Sequence, residues 1–217
     1  TIACIWTDNG IWHSGFIDIA TGVLTTAETP YSSMQAVACH QGSIYFVAGA
    51  SVLASQIAGV SLQGHVTPIY APATVDLDEA DLAQPESILF TSGENQQVHA
   101  FYYPPTSARY CGDDHELPLV IAMCHGGPTG ATSSGLNLKI QYWTNRGFAV
   151  VDINYRGSVG FGRTYRQALE GAWGIADVED TQRAMTYLAS QQKIDPERCL
   201  IRGGSAGGYT VLSALTF

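Results

Sequence analysis

The sequence predicts a chain in two parts, an all-β segment up to about Tyr70 and then an α/β segment built on a parallel sheet. Three observations lead there. Up to Tyr70 the apolar residues fall in runs of four to seven, separated by turns that contain glycine, which is the spacing of short antiparallel strands. After Pro104-Pro105 strand-like and helix-like runs alternate, the pattern of a sheet whose strands are joined by crossover helices. Finally, Gly203-x-Ser205-x-Gly207 stands between one such strand and one such helix.

Composition narrows the classes. With 46 % apolar residues the 217-residue chain can fill a sizeable core, which excludes disordered and fibrous proteins. The charged fraction is only 13 %, below the globular norm, and 23 glycines point to many tight turns. Nineteen acidic against ten basic residues give a net charge of −9, which repels a phosphate backbone, so nucleic acid is not expected as a partner. No apolar run approaches the roughly 18 residues of a membrane helix. Even Leu117–Cys124 ends at His125-Gly126-Gly127-Pro128, so no membrane segment is expected. Five widely spaced cysteines without a CxxC pair predict reduced, mostly buried thiols and a cytoplasmic location. The sequence opens at Thr1 inside a strand-like run, with no segment from which targeting can be read.

The first seven strands are expected at Ile2–Trp6, His13–Ile19, Gly22–Thr26, Gln35–His40, Ser43–Ala48, Val52–Ala58 and Val66–Tyr70, turning at Asp8-Asn9-Gly10, Thr21-Gly22, Gln41-Gly42 and Gln63-Gly64. Four such strands make a propeller blade of roughly 40 to 45 residues, so residues 1–72 correspond to about one and a half blades. A small β-sandwich is the alternative. Residues 73–86, acidic and containing Pro85, are the expected linker. Ser87–Thr91 and Gln97–Tyr103 then form a hairpin. Leu117–Cys124 and Phe148–Ile153 are buried strands around a helix over Leu136–Asn145, with Gly147 just past its end.

Asp177–Gln192 spaces Val178, Thr181, Met185, Leu188 and Ala189 on one helical face, with Asp177, Glu179 and Asp180 at the N-terminus, where the dipole favours them. A strand over Cys199–Arg202, the glycine-rich turn and a helix from Tyr209 complete the chain.

Gly203-x-Ser205-x-Gly207 has the spacing of a nucleophile elbow, a strained strand-to-helix turn that lifts a serine hydroxyl clear of the backbone. Ser205 is the candidate nucleophile. His125-Gly126-Gly127-Pro128 ends an inner strand, where open α/β sheets bind ligands. Its glycines allow a peptide N–H to face a developing oxyanion, and the second donor is the N–H of Ala206. His125 is not read as the base, which in such folds follows the serine along the chain.

Other motifs carry less. Ser190-Gln191-Gln192-Lys193 fits S-x-x-K but ends an exposed helix without partner motifs. Cys124 and His125 are strand neighbours and face opposite ways, so they form no dyad. Gly157-x-x-Gly160-x-Gly162 has the wrong order for a dinucleotide fingerprint, and His13, His40, His65, His99 and His115 lack metal-ligand spacing. No metal and no cofactor are expected.

Four segments together resemble the prolyl oligopeptidase family of serine peptidases, most closely its acylaminoacyl-peptidase and dipeptidyl-peptidase branch. They are His125-Gly126-Gly127-Pro128-Thr129, Asn154-Tyr155-Arg156-Gly157-Ser158 with Gly160-Phe161-Gly162, Trp173-Gly174-Ile175-Ala176-Asp177-Val178-Glu179-Asp180, and Gly203-Gly204-Ser205-Ala206-Gly207-Gly208-Tyr209. The resemblance implies an α/β-hydrolase domain that cleaves short peptides, screened by a β-propeller. It implies Ser205 as nucleophile and the N–H groups of Gly127 and Ala206 as oxyanion donors. It places His125, Gly126, Tyr155 and Arg156 in supporting loops, with Arg156 expected to pair with Asp177 or Asp180, a direct grip on substrate being the alternative.

One departure is plain: Ala206–Phe217 contain no Asp, Glu or His. The expected fold is therefore α/β, the N-terminal half of an α/β-hydrolase sheet (87–217) preceded by the last blades of a propeller, and the chain an interior fragment, inactive alone. The triad Asp and His lie beyond it, and the remainder of the same protein completes the fold. A carboxylesterase on the same fold, or a scaffold that has lost its triad, are the alternatives.

Overall fold

The computed structural model describes residues 1–72, 77–113 and 116–216; residues 73–76 of the expected linker, His115 and Phe217 lie outside them. The chain separates into two compact units. One is Thr1–Asp76 together with Ser133–Asn137, and the other is Leu77–Thr132 together with Leu138–Phe217.

In the first unit, β1 (Ile2–Asp8), β2 (Ile11–Ile17) and β3 (Leu24–Ala27) form a three-stranded antiparallel meander. A four-stranded one follows, β4 (Ser33–His40), β5 (Ser43–Ala50), β6 (Leu53–Ser61) and β7 (Val66–Tyr70). Asn9-Gly10 and Gln41-Gly42 have positive φ at both residues (48° and 78°, 45° and 75°), the two-residue geometry whose twist matches that of the strands it joins. Phe16, Met34, Ile44, Phe46 and Val60 form the core. Ser133–Asn137 completes this unit: the Leu136 N–H donates to the Ala50 carbonyl (2.9 Å) and the Ser134 hydroxyl to Ser32 Oγ (2.9 Å).

The second unit carries a five-stranded sheet in the order β12-β10-β11-β9-β8, from β8 (Glu86–Thr91), β9 (Gln97–Tyr103), β10 (Val120–Cys124), β11 (Ala149–Asn154) and β12 (Cys199–Gly203). Among the described strands, parallel pairing joins only β10 to β11 and β10 to β12. The expected parallel sheet is thus mixed, because β8 and β9 are joined by a tight turn and add to β11 as an antiparallel hairpin. One sheet face packs Val120, Ala122, Val151 and Ile153 against Ala184 and Leu188 of the long helix.

Among the described residues four α-helices accompany the sheet: α1 (Leu138–Thr144), α2 (Arg163–Gln167), α3 (Ala176–Ser190) and α4 (Ala206–Thr216). Helix α1 starts later than expected because Leu136 is hydrogen-bonded in the first unit. Helix α2 has only five residues, too few for a periodic signal.

Two further expectations are corrected. Leu117 and Pro118 precede β10: Pro118 has no N–H for a ladder, and its carbonyl accepts from Asp195 N–H (3.0 Å). Within the segment expected to link the two parts, Ala83 is buried and exchanges two hydrogen bonds with the Gln141 amide (2.8 and 3.0 Å). The cysteines are all unbridged, but only Cys124 is buried; Cys39, Cys111 and Cys199 are exposed. Cys199 lies on β12, at the edge of the sheet among the described strands. Among the described residues, no helix is long and apolar enough to cross a membrane.

Candidate active site

Ser205 occupies the turn between β12 and α4 at φ +55°, a left-handed conformation that costs a residue with a Cβ about 1–2 kcal/mol. The surrounding glycines impose it. A Cβ on Gly203 would stand 2.3 Å from the Gly207 carbonyl oxygen, and one on Gly207 would stand 2.1 Å from that of Cys124 and 2.7 Å from that of His125. Strand, turn and neighbouring loop therefore meet backbone to backbone. Helix α4 begins at once, with Gly207 N–H donating to the Gly204 carbonyl (3.0 Å) and Gly208 N–H to that of Ser205 (2.9 Å). Ser205 is exposed while Ala206 and Gly207 are buried. The serine reaches outward, at a helix end where peptide N–H groups lack intrahelical acceptors.

Strand β10 leads into the second element. A Cβ on Gly126 would lie 3.3 Å from the Cβ of Ser205, so the His-Gly-Gly-Pro loop runs beside that serine. Gly127 has φ +129°, open in practice to glycine alone. The His125 ring curls over its own loop, with Nδ1 2.9 Å from the Gly126 carbonyl oxygen and Nε2 2.8 Å from Ser158 Oγ. A carbonyl only accepts, so Nδ1 carries the proton. In a trans peptide C=O and N–H point opposite ways, and holding the Gly126 carbonyl turns the Gly127 N–H away from the ring. Burial keeps the His125 pKa below the ordinary imidazole value. Nδ1 is thus engaged by the loop's own carbonyl and Nε2 by Ser158, in the turn after β11.

Tyr155 and Arg156, consecutive at the end of β11, divide in role. The Tyr155 ring stacks on His125 (centroids 4.2 Å, planes 15° apart). Arg156 turns instead toward α3. Its Nε donates to Asp180 Oδ1 (2.9 Å), its backbone N–H to Oδ2 (2.7 Å) and its Nη2 to Glu179 (2.8 Å). Ser92 adds a third donor to Asp180, which is fully buried. Of the two expected partners only Asp180 is used. Asp177 is occupied by Gly174 N–H (2.6 Å) and the Thr210 hydroxyl. Both carboxylates at the start of α3 are therefore interior groups, and the buried face of the helix includes them rather than the apolar stripe alone.

One polar cluster was not foreseen. Asp152 accepts from the Thr132 hydroxyl, while the Asn154 amide accepts from Thr132 N–H (2.8 Å) and lies 3.2 Å from His99 Nδ1. These bonds pin the exit of the loop to β11. Burial pushes the Asp152 carboxyl up to about 6 and the His99 ring down to about 4. A lone acid in the apolar run Phe148–Asn154 was the available signal. Among the described residues no group of three or more metal-binding side chains exists.

Residues 134–217 match the prolyl oligopeptidase family. The chain is 32 % identical over 157 residues to dipeptidyl aminopeptidase BIII of Pseudoxanthomonas mexicana, covering 71 % of this chain and 22 % of that protein. It is 37 % identical over 97 residues to the mouse (Mus musculus) acylamino-acid-releasing enzyme, covering 45 % of this chain and 13 % of that one. Among solved structures it matches a Mycobacterium tuberculosis puromycin-hydrolyzing peptidase with TM-score 0.93 and 34 % identity, over 99 % of this chain and 33 % of that one. The chain thus spans a third or less of these relatives.

Proposed function

Because the chain belongs to the prolyl oligopeptidase family, we propose that it carries the nucleophile and oxyanion loop of a serine peptidase that hydrolyses short peptides through an acyl-enzyme on Ser205. The observation that supports this most is the strained, outward-facing Ser205 between two glycines with no room for a Cβ, beside Gly126. In the reaction Ser205 Oγ attacks the peptide carbonyl carbon, and a histidine outside these 217 residues, oriented by a carboxylate also outside them, takes its proton. The N–H groups of Gly127 and Ala206 receive the oxyanion. Collapse of the intermediate passes that proton to the departing amine, and water then hydrolyses the ester.

In this reading residues 1–72 form about one and a half propeller blades, 73–86 the connection, and 87–217 the first half of the hydrolase domain. His125 and Gly126 support the oxyanion loop, and Arg156 ties β11 to α3. The names of the relatives, an aminopeptidase, an acylamino-acid-releasing enzyme and a puromycin-hydrolyzing peptidase, favour amide bonds near a chain terminus over simple esters.

The test is labelling of the full-length protein with a fluorophosphonate probe. Ser205→Ala is expected to abolish it, and persistent labelling would sink the assignment. Parallel assay of aminoacyl p-nitroanilides and p-nitrophenyl esters then separates peptidase from esterase.

A further inference from the structure

The oxyanion loop contains two consecutive glycines, which have no side chains to hold them, and the orientation of its donor must come from elsewhere. The Tyr155 hydroxyl lies 2.9 Å from the His125 carbonyl oxygen and 3.0 Å from that of Pro128. These two carbonyls bracket Gly126-Gly127. A phenol has a single proton, so the two acceptors share it across the loop. The ring beneath is fully buried and covered by His125. The turn after Tyr155 adds Val159 N–H to the Gly130 carbonyl (3.0 Å). Burial raises the phenol pKa, so the group stays a donor throughout the working range.

We propose that Tyr155 is a positioning residue for the reaction, its hydroxyl clamping the carbonyls on both sides of Gly126-Gly127 so that the Gly127 N–H is aimed at the oxyanion. This rests on Ser205 as nucleophile. Donors to an oxyanion act over about 2.7–3.1 Å, and losing one entirely lowers kcat about 10²–10³-fold. In Tyr155→Phe the ring and the His125 Nδ1 contact remain while both carbonyls lose their donor. The loop then relaxes without departing. The expected loss is about 10- to 100-fold, confined to steps in which the oxyanion forms.

The experiment uses the full-length protein and an aminoacyl p-nitroanilide, with rates normalised by fluorophosphonate titration of active sites. Tyr155→Phe is expected to lower kcat about 10- to 100-fold with KM unchanged. It should weaken a peptide boronic acid, whose tetrahedral adduct places an oxygen at the oxyanion position, by a similar factor. Competition by the released amino acid should not change. Tyr155→Leu, lacking ring and hydroxyl, is expected to lose at least as much kcat.

Wild-type kcat in Tyr155→Phe overturns the proposal. So does a fall in kcat matched by weaker binding of the released amino acid, which would mark a general loss of structure. A Tyr155→Phe protein that does not fold also overturns it, because the hydroxyl would then hold the fold rather than the donor. If the wild-type protein is not labelled at Ser205, the underlying assignment fails first and this one with it.

Discussion

Replacing Asp152 by Asn should change how stability depends on pH, in a direction set by the burial of the carboxyl. The side chain sits in the middle of β11, a residue only 7 % exposed, with the Thr132 hydroxyl as the donor it accepts from. An ordinary aspartate titrates at 3.8; this one is raised to about 6 by burial, against the opposing pull of the Thr132 bond. At 1.36 kcal/mol per pH unit the separation corresponds to about 3 kcal/mol. The sign follows from proton counting. Between the two values the folded protein holds a proton that the unfolded chain has released, so stability falls as pH rises. The contribution is complete below about pH 3.8 and is lost as pH passes through about 6.

Asn keeps the shape and an acceptor for Thr132 but cannot ionise. Urea denaturation at pH 4 and pH 7.5 should therefore show Asp152→Asn gaining about 2–3 kcal/mol relative to wild type as pH rises. Parallel stability profiles for the two proteins would refute the reasoning, because the carboxyl would then be solvated or paired in the folded state.

Arg156→Ala removes the guanidinium that compensates a fully buried Asp180 and should destabilise by about 3–5 kcal/mol, measured by the same denaturation. Arg156→Lys should recover only part, since one ammonium cannot span Asp180 and Glu179 as the planar fork does. Gly207→Ala sets a methyl 2.1 Å from the Cys124 carbonyl oxygen, and should both displace the elbow and destabilise by about 3 kcal/mol or more; normal fluorophosphonate labelling in a stable variant would contradict this.

The strands and the tight turn at Ser205 were legible in the sequence because each rests on local chemistry. Asn9-Gly10 is a turn whatever surrounds it, since positive φ suits both residue types, and Gly42 marks the turn after Gln41. Gly203 and Gly207 announce a close backbone approach in the same way. What the sequence concealed depends on partners distant along the chain. Nothing local distinguishes Asp180, which meets Arg156, from Asp177, which meets Thr210. The two look like equal ornaments of a helix N-terminus. Leu136 fits the apolar rhythm of α1, yet its N–H is claimed by Ala50, and β9 reads as any strand until its pairing shows it antiparallel to β11. Likewise Tyr155 is a tyrosine at a strand end until its hydroxyl is seen between two carbonyls.

Five residues, Ser133–Asn137, sit with the first unit although both their neighbours along the chain belong to the second. The polypeptide accordingly crosses between units three times, after Asp76, after Thr132 and after Asn137. No single scission can part them cleanly. A protease that nicks the link at residues 76 and 77 leaves the first fragment still gripping a finger of the second, through Leu136 on Ala50 and Ser134 on Ser32. Expressed alone, residues 1–76 would present those two seats empty, and residues 77–217 would carry the finger with nothing to hold. A dissection of this protein that keeps both units whole has to transplant the pentapeptide along with the strands it closes.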